Sequence, residues 1–249
     1  MIRTIVLVTL FALGILLVMP WLILWSLLTG SQDLMYRASM TAVRYGIGLV
    51  GVRVRVEGLE NIPPCTCVFV ANHVSNMDAL AFAPHIPRRV SLMLKKELFR
   101  IPILSYGMLL AKFIRVDRAS REGAANSAKL GVRYLKEGLS LATYPEGTRS
   151  PDGRLHPFKK GTFVVAIQAG VPIVPVSILG AQHLMRKGEW AIHPGNITIR
   201  FGPPVDASQY SVATRGELMA RVHALVAAGL PSDQQPVPRS AGAQESSPV

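Results

Sequence analysis

Two hydrophobic rhythms divide the chain. Residues 5–28 (IVLVTLFALGILLVMPWLILWSLL) hold no charged side chain, and 24 helical positions are enough to cross about 30 Å of hydrocarbon. A second helix-like stretch follows at 35–50. Beyond it, short apolar runs alternate with longer amphipathic ones. VRVRVEG at 52–58 alternates residue by residue and predicts a strand, closed by Glu57-Gly58 and by Asn61-Ile62-Pro63-Pro64. Further strands are predicted at 68–71 (VFVA), 89–94 (RVSLML), 113–116 (FIRV), 141–144 (LATY), 173–178 (IVPVSI) and 197–201 (ITIRF). The two prolines of VPIVPVSI read as a structural edge strand, because proline has no N–H to give a sheet. Helices are predicted at 78–83, 103–111, 121–136, 161–169 and 214–228; the stretch 121–136 is amphipathic, with Leu130, Val132 and Leu135 among its apolar positions. Such alternation predicts an α/β fold, a mixed sheet flanked by helices, behind an N-terminal membrane-embedded helical segment. The expected organisation is membrane-anchoring helices at 1–51 and a catalytic-sized domain at 52–230. The polar, proline-rich tail at 231–249 is expected to be disordered.

Composition sharpens the membrane assignment. The 249 residues are 49% hydrophobic and 17% charged, too apolar for an ordinary cytosolic domain and too mixed for a multi-span transporter. A formal net charge of +12 suits either nucleic acid or an anionic membrane surface, and the apolar N-terminus favours the membrane. No recognition motif supports nucleic acid as a partner. The apolar run is longer than a signal-peptide core and no A-x-A-like site follows, so the segment is expected to be retained. Arg37 and Arg44 outnumber Arg3 across it, which favours a cytoplasmic location for the rest of the chain, against the added charge of the N-terminal amine. Pro20 could bend the segment into an interfacial hairpin with the next helix, so both a spanning and a monotopic attachment fit. GIGLVG at 46–51 matches the dinucleotide fingerprint in letters but follows a helix and precedes a strand, the reverse of the required context. Cys65 and Cys67 lie one residue apart with no second cluster at zinc spacing, so no metal site and no disulfide framework is expected.

Candidate chemistry begins at NHVSNMD, 72–78. If VFVAN is a buried strand, His73 sits at its mouth, and Asp78, opening the next helix, can fold back onto one imidazole nitrogen. That arrangement makes a general base and its orienter. In isolation the same pattern also fits a core-edge histidine and a helix-capping aspartate. A second segment, YPEGTRSPDGRLHPFKKG at 144–161, is a long polar loop between two apolar elements. It carries Glu146, Arg149, Arg154, Lys159 and Lys160 among Gly147, Thr148, Gly153 and Gly161, a mixture suited to holding a phosphate. A third, KKELFRIPILSYG with IRVDR, adds Lys95, Lys96, Arg115 and Arg118, the last just past a strand end, where α/β sheets meet their substrates. The other histidines, His85, His156, His183, His193 and His223, lack comparable context.

Taken in order, NHVSNMD, KKELFRIP with FIRVDR, YPEGTRS with FKKG, and VPIVPV resemble the four blocks of the glycerolipid acyltransferases, specifically the 1-acyl-sn-glycerol-3-phosphate (lysophosphatidic acid) acyltransferases. The resemblance runs over residues 56–202, with Tyr144 where the family usually has Phe. It implies that His73 is the general base and Asp78 its partner. It further implies that Arg118, Glu146, Gly147, Thr148 and Arg149 form the glycerol-phosphate site and that Lys95 contacts phosphate. The implied reaction acylates the sn-2 hydroxyl of lysophosphatidic acid by direct attack on acyl-CoA or acyl-carrier protein, a co-substrate rather than a cofactor. No G-x-S-x-G elbow calls for an acyl-enzyme. Lyso-ornithine lipid or glycerol 3-phosphate as acceptor, and a non-catalytic binder of anionic membrane lipids, are the alternatives. The expected location is the cytoplasmic face of the cell (inner) membrane.

Overall fold

The computed structural model describes residues 1–117, 120–185 and 188–237. Among the described residues seven strands form a sheet in the order β1-β7-β6-β2-β5-β3-β4. The strands are β1 (Val52–Glu57), β2 (Val68–Ala71), β3 (Val90–Lys95), β4 (Ile114–Val116), β5 (Ser140–Thr143), β6 (Ile173–Leu179) and β7 (Gly195–Phe201). Neighbours from β6 to β4 run parallel, β7 is antiparallel to β6, and β1 runs parallel with β7. The sheet is therefore mixed, as predicted.

Side chains on β2 explain its unbroken apolar run. Phe69 and Ala71 pack with Ile47, Met77 and Phe82 on one face, while Val68 and Val70 pack with Leu135, Phe163 and Val222 on the other. A strand covered on both faces has no polar side to alternate with. The first face carries α3 (Asp33–Leu49) and α4 (Met77–Phe82); the second carries α6 (Arg121–Lys136), α7 (Gly161–Ala169) and α9 (Arg215–Ala228). Helix α6 starts where Ser120 Oγ accepts the Gly123 N–H, and it carries Glu122 in its first turn and Arg133 and Lys136 in its last, each at the favourable end of the helix dipole. Helix α5 (Leu104–Leu110) and the short α8 (Ala181–Leu184), which the hydrophobic pattern did not predict, complete the elements.

The edge-strand reading of VPIVPVSI is corrected. Strand β6 lies inside the sheet between β7 and β2. Pro175 is tolerated because its β7-facing side sits at an irregularity: its carbonyl accepts the Gly202 N–H, β7 pairing begins only at Val176 with Phe201, and Ile173 bridges to Val205. The missing N–H thus faces the detour between Phe201 and Val205 rather than a ladder partner.

The apolar N-terminus is one long helix, Ile2–Thr29, made of α1 (Ile2–Leu13) and α2 (Met19–Thr29) joined by a π-type turn at Gly14–Val18. The wider turn accommodates Pro20, whose missing N–H would otherwise break the ladder. The hairpin with α3 therefore turns at Gly30, not at Pro20. Gly46 of the discarded fingerprint is where α3 meets α1, since a Cβ there would lie 2.8 Å from Phe11. Thr4 Oγ donates to Trp190 O and accepts the Ile192 N–H, and Leu7 joins the main core. Farther along, Met19, Leu22 and Ile23 pack with Tyr36, Ala111 and Phe113. The helix touches the sheet-bearing part of the chain at residue 4 and again at residue 23, about 28 Å apart along its axis.

Residues 231–237, expected from the sequence to belong to a disordered tail, begin as packed chain. Gln234 is buried, takes the Leu155 N–H on its carbonyl and gives its own N–H to Pro231 O. Residues 238–249 lie outside the described residues.

Candidate active site

Strands β2, β3, β4, β5 and β6 share a direction, so the segments that follow them emerge at one end of the sheet. Three of the sequence blocks gather there, while the fourth, VPIVPV, leads into and forms the first part of β6. Asn72 continues β2 by side chain instead of backbone: its Nδ2 donates to Ile178 O at 2.9 Å and its Oδ1 accepts the Ile178 N–H at 2.7 Å. The chain can then leave the sheet at His73.

Asp78 gathers the resulting loop. Its Oδ2 meets His73 Nδ1 at 2.7 Å and accepts the N–H groups of Val74 at 2.7 Å and Ser75 at 2.8 Å. The aspartate side chain is 0% exposed and the histidine side chain 17%. A carboxylate only accepts, so the proton between them sits on Nδ1, and Nε2 is left as a lone-pair acceptor. Ser75 is unavailable as a nucleophile, for it is buried and its hydroxyl donates to Met185 O at 2.7 Å. Tyr144 stacks on the imidazole with ring centroids 4.2 Å apart and planes at 19°.

The loop after β5 grips the backbone of His73 from both sides. Glu146 Oε1 accepts the His73 N–H at 2.7 Å, and the Ser150 N–H donates to His73 O at 2.7 Å. The other Glu146 oxygen accepts the His156 N–H at 3.2 Å. Burial pushes the Glu146 carboxyl up to about 7 against these two hydrogen bonds. Gly147 closes the turn by donating to Tyr144 O, at a φ of +77° that favours glycine, and an added Cβ would lie 2.9 Å from Lys159 Nζ. Beyond it Asp152 Oδ1 takes Ser150 Oγ, the Arg154 N–H and His156 Nε2. Against its partial burial, these bonds hold the Asp152 carboxyl down at about 2.

Residues 53–179, slightly more than half of the chain, match the family model described as Acyltransferase. The chain belongs to the acyltransferase family. This acyltransferase is 35% identical over 192 residues to the 1-acyl-sn-glycerol-3-phosphate acyltransferase of Limnanthes alba, covering 77% of the chain and 68% of that relative. It is 34% identical over 179 residues to the enzyme of the same name from Pseudomonas aeruginosa, covering 72% and 69%. The crystal structure of the 1-acyl-sn-glycerophosphate (LPA) acyltransferase PlsC from Thermotoga maritima superposes with a TM-score of 0.79 at 29% identity, over 92% of this chain and 93% of that one.

Within the acyltransferase, the sequence-derived residues fall into three groups. His73 and Asp78 are in direct contact. Gly147, exposed Thr148 and half-buried Arg149 lie on the loop next to them, and exposed Lys95 ends the strand beside β5, its ammonium 3.9 Å from Glu97. Arg118 lies outside the described residues. Glu146 joins the group but is only 5% exposed, with both oxygens committed to backbone N–H groups. Sequence reasoning did not find the Asn72 clamp, the Tyr144 stack or the Ser150–Asp152–His156 knot. Only the Tyr144 substitution carried a local signal, as the departure from the family's Phe. Two clefts, of about 340 Å³ between α3 and β1 and about 480 Å³ at the far end of β5, do not include His73. Cys67 is buried, and burial pushes its thiol up to about 11, which leaves no thiolate to attack at neutral pH.

Proposed function

We propose that this acyltransferase moves a fatty acyl group from acyl-CoA or acyl-carrier protein to the sn-2 hydroxyl of 1-acyl-sn-glycerol 3-phosphate, forming phosphatidic acid. The observation that carries the reading is the His73–Asp78 pair, with Nε2 turned outward beside a cationic strand-end loop, in a chain whose relatives bear that name. Nε2 takes the hydroxyl proton as the oxygen attacks the thioester carbonyl. The tetrahedral adduct then expels the thiolate, and the imidazolium returns the proton to sulfur. Asp78 keeps the tautomer and offsets the imidazolium charge. Arg149, Lys95 and Arg118, with Thr148 and the Gly147 backbone, hold the acceptor phosphate so that the hydroxyl is aimed at the carbonyl. Glu146 is part of this loop as a brace for His73, because it is buried and both of its oxygens accept backbone N–H groups. No resident cofactor is needed.

Purified full-length protein in detergent, given lysophosphatidic acid with oleoyl-CoA or an acylated carrier protein, should form phosphatidic acid detectable by mass spectrometry. Product only from glycerol 3-phosphate or a lyso-ornithine lipid would reassign the acceptor. Vesicle binding without turnover on any acceptor would leave the non-catalytic lipid binder.

The N-terminal helix supports attachment to one leaflet. A spanning helix would carry one of its ends about 30 Å from the domain, yet both Thr4 and Ile23 are packed against it. Its outer face presents Ile2, Ile5, Val8, Leu16, Leu17, Trp21 and Leu28, each more than half exposed, which suits burial at the boundary of headgroups and acyl chains. The cytoplasmic leaflet is the one that soluble acyl donors reach. In inside-out vesicles an impermeant thiol reagent should modify Arg3→Cys, at the start of the helix, and exposed Cys65 alike. Labelling of the two from opposite sides would establish a spanning helix instead.

A further inference from the structure

Two buried oxygens beside the proposed base have no hydrogen-bond partner among the described residues: Asp78 Oδ1 and Tyr144 Oη. They belong to one neighbourhood. Tyr144 stacks on His73 and also makes an edge contact with Phe82, at a centroid distance of 6.2 Å and an interplanar angle of 61°. Asp78 and Phe82 stand four residues apart on α4, so they share a helix face, and the Tyr144 ring meets that face at Phe82. Burial, and after it the charge of Asp78, push the phenol's pKa far up, so the hydroxyl is a neutral donor. A Phe ring would fill the same stack and leave no hydroxyl to satisfy. A buried phenol and a buried carboxylate oxygen, both unpaired, are the kind of partners that hold one ordered water.

We propose that Tyr144 is a positioning residue of this acyltransferase: its ring face fixes the plane of the His73 imidazole, and its hydroxyl donates through one buried water to Asp78 Oδ1. The proposal rests on His73 being the base. A hydrogen bond on Oδ1 draws charge from the carboxylate, so the imidazolium is stabilised less and Nε2 stays neutral, hence able to accept a proton, to lower pH. The other titratable group gripping His73 is Glu146 on the β5–α7 loop, and its contribution is common to wild type and variant.

Tyr144→Phe keeps the ring and deletes the donor. In full-length protein labelled with 15N-histidine, the His73 ring should titrate several tenths of a pH unit higher in Tyr144→Phe than in wild type. The acid limb of kcat/KM for phosphatidic acid formation should move up by the same amount, with a plateau within about two-fold. Tyr144→Leu, which removes the stacking face, should lower kcat by about ten-fold or more while leaving the acceptor KM in place, since orientation and not binding is lost. A titration unchanged or shifted downward in Tyr144→Phe would overturn the hydroxyl's role. A kcat unchanged in Tyr144→Leu would overturn the ring's. Wild type that makes no product would retire the reaction assignment and leave the titration to judge Tyr144.

Discussion

His73→Ala is expected to lower the rate of phosphatidic acid formation by roughly 10²- to 10⁴-fold while the protein stays folded. The two halves of that expectation come from different atoms. The rate depends on Nε2, which alanine removes. The fold depends on the His73 backbone, whose N–H and C=O bind Glu146 and the Ser150 N–H without help from the ring. Asp78 would keep the N–H groups of Val74 and Ser75 after the ring is gone. Initial rates measured beside a thermal melt separate the two halves. An active His73→Ala would end the base assignment, and an unfolded one would show that the ring is needed by the loop as well as by the reaction.

The second large effect concerns Asp78, where two substitutions should part company. Asp78→Asn can place its carbonyl oxygen where Oδ2 now accepts Val74, Ser75 and His73, leaving its amide toward the unpartnered Oδ1 position. The loop survives, but no negative charge offsets the imidazolium, and activity should fall by roughly 10²- to 10⁴-fold. Asp78→Ala strips the acceptor from two buried N–H groups, at about 1–3 kcal/mol each, so its melting temperature should drop by several degrees as well. Near-normal turnover by Asp78→Asn would show that orientation alone suffices. Equal melting temperatures for the two variants would mean that the carboxylate does not hold the turn.

Much of this molecule is legible locally. The strand VFVA and the helices at 121–136 and 161–169 have the predicted bounds in the structure, because hydrophobic period and capping residues act between near neighbours in the chain. The His73–Asp78 contact is of the same kind, with one turn of chain and a helix start bringing a ring and a carboxylate five positions apart into contact. Apolar length likewise marked a helix able to anchor in a membrane, but it could not choose between spanning and lying flat. That choice needs the contacts of Thr4 with Trp190 and Ile192, formed with residues nearly the whole chain away.

Long-range pairings also overturned or added the rest. Pro175 marks an edge strand in sequence and sits in an interior one, because strand order depends on which segments cross over, and no local pattern encodes it. Glu146 reads as part of a phosphate loop. Its carboxylate is drawn inward by the N–H groups of His73 and His156, the first of them 73 positions away. Asn72 clamping Ile178, Tyr144 lying on His73, and Gln234 holding Leu155 have the same origin. Residue type and spacing specify the elements and the His73–Asp78 contact, since those forces act over a few residues. The plane of the imidazole, the grip on its backbone and the lie of the helix arise only when parallel strands bring distant segments to one end of a sheet.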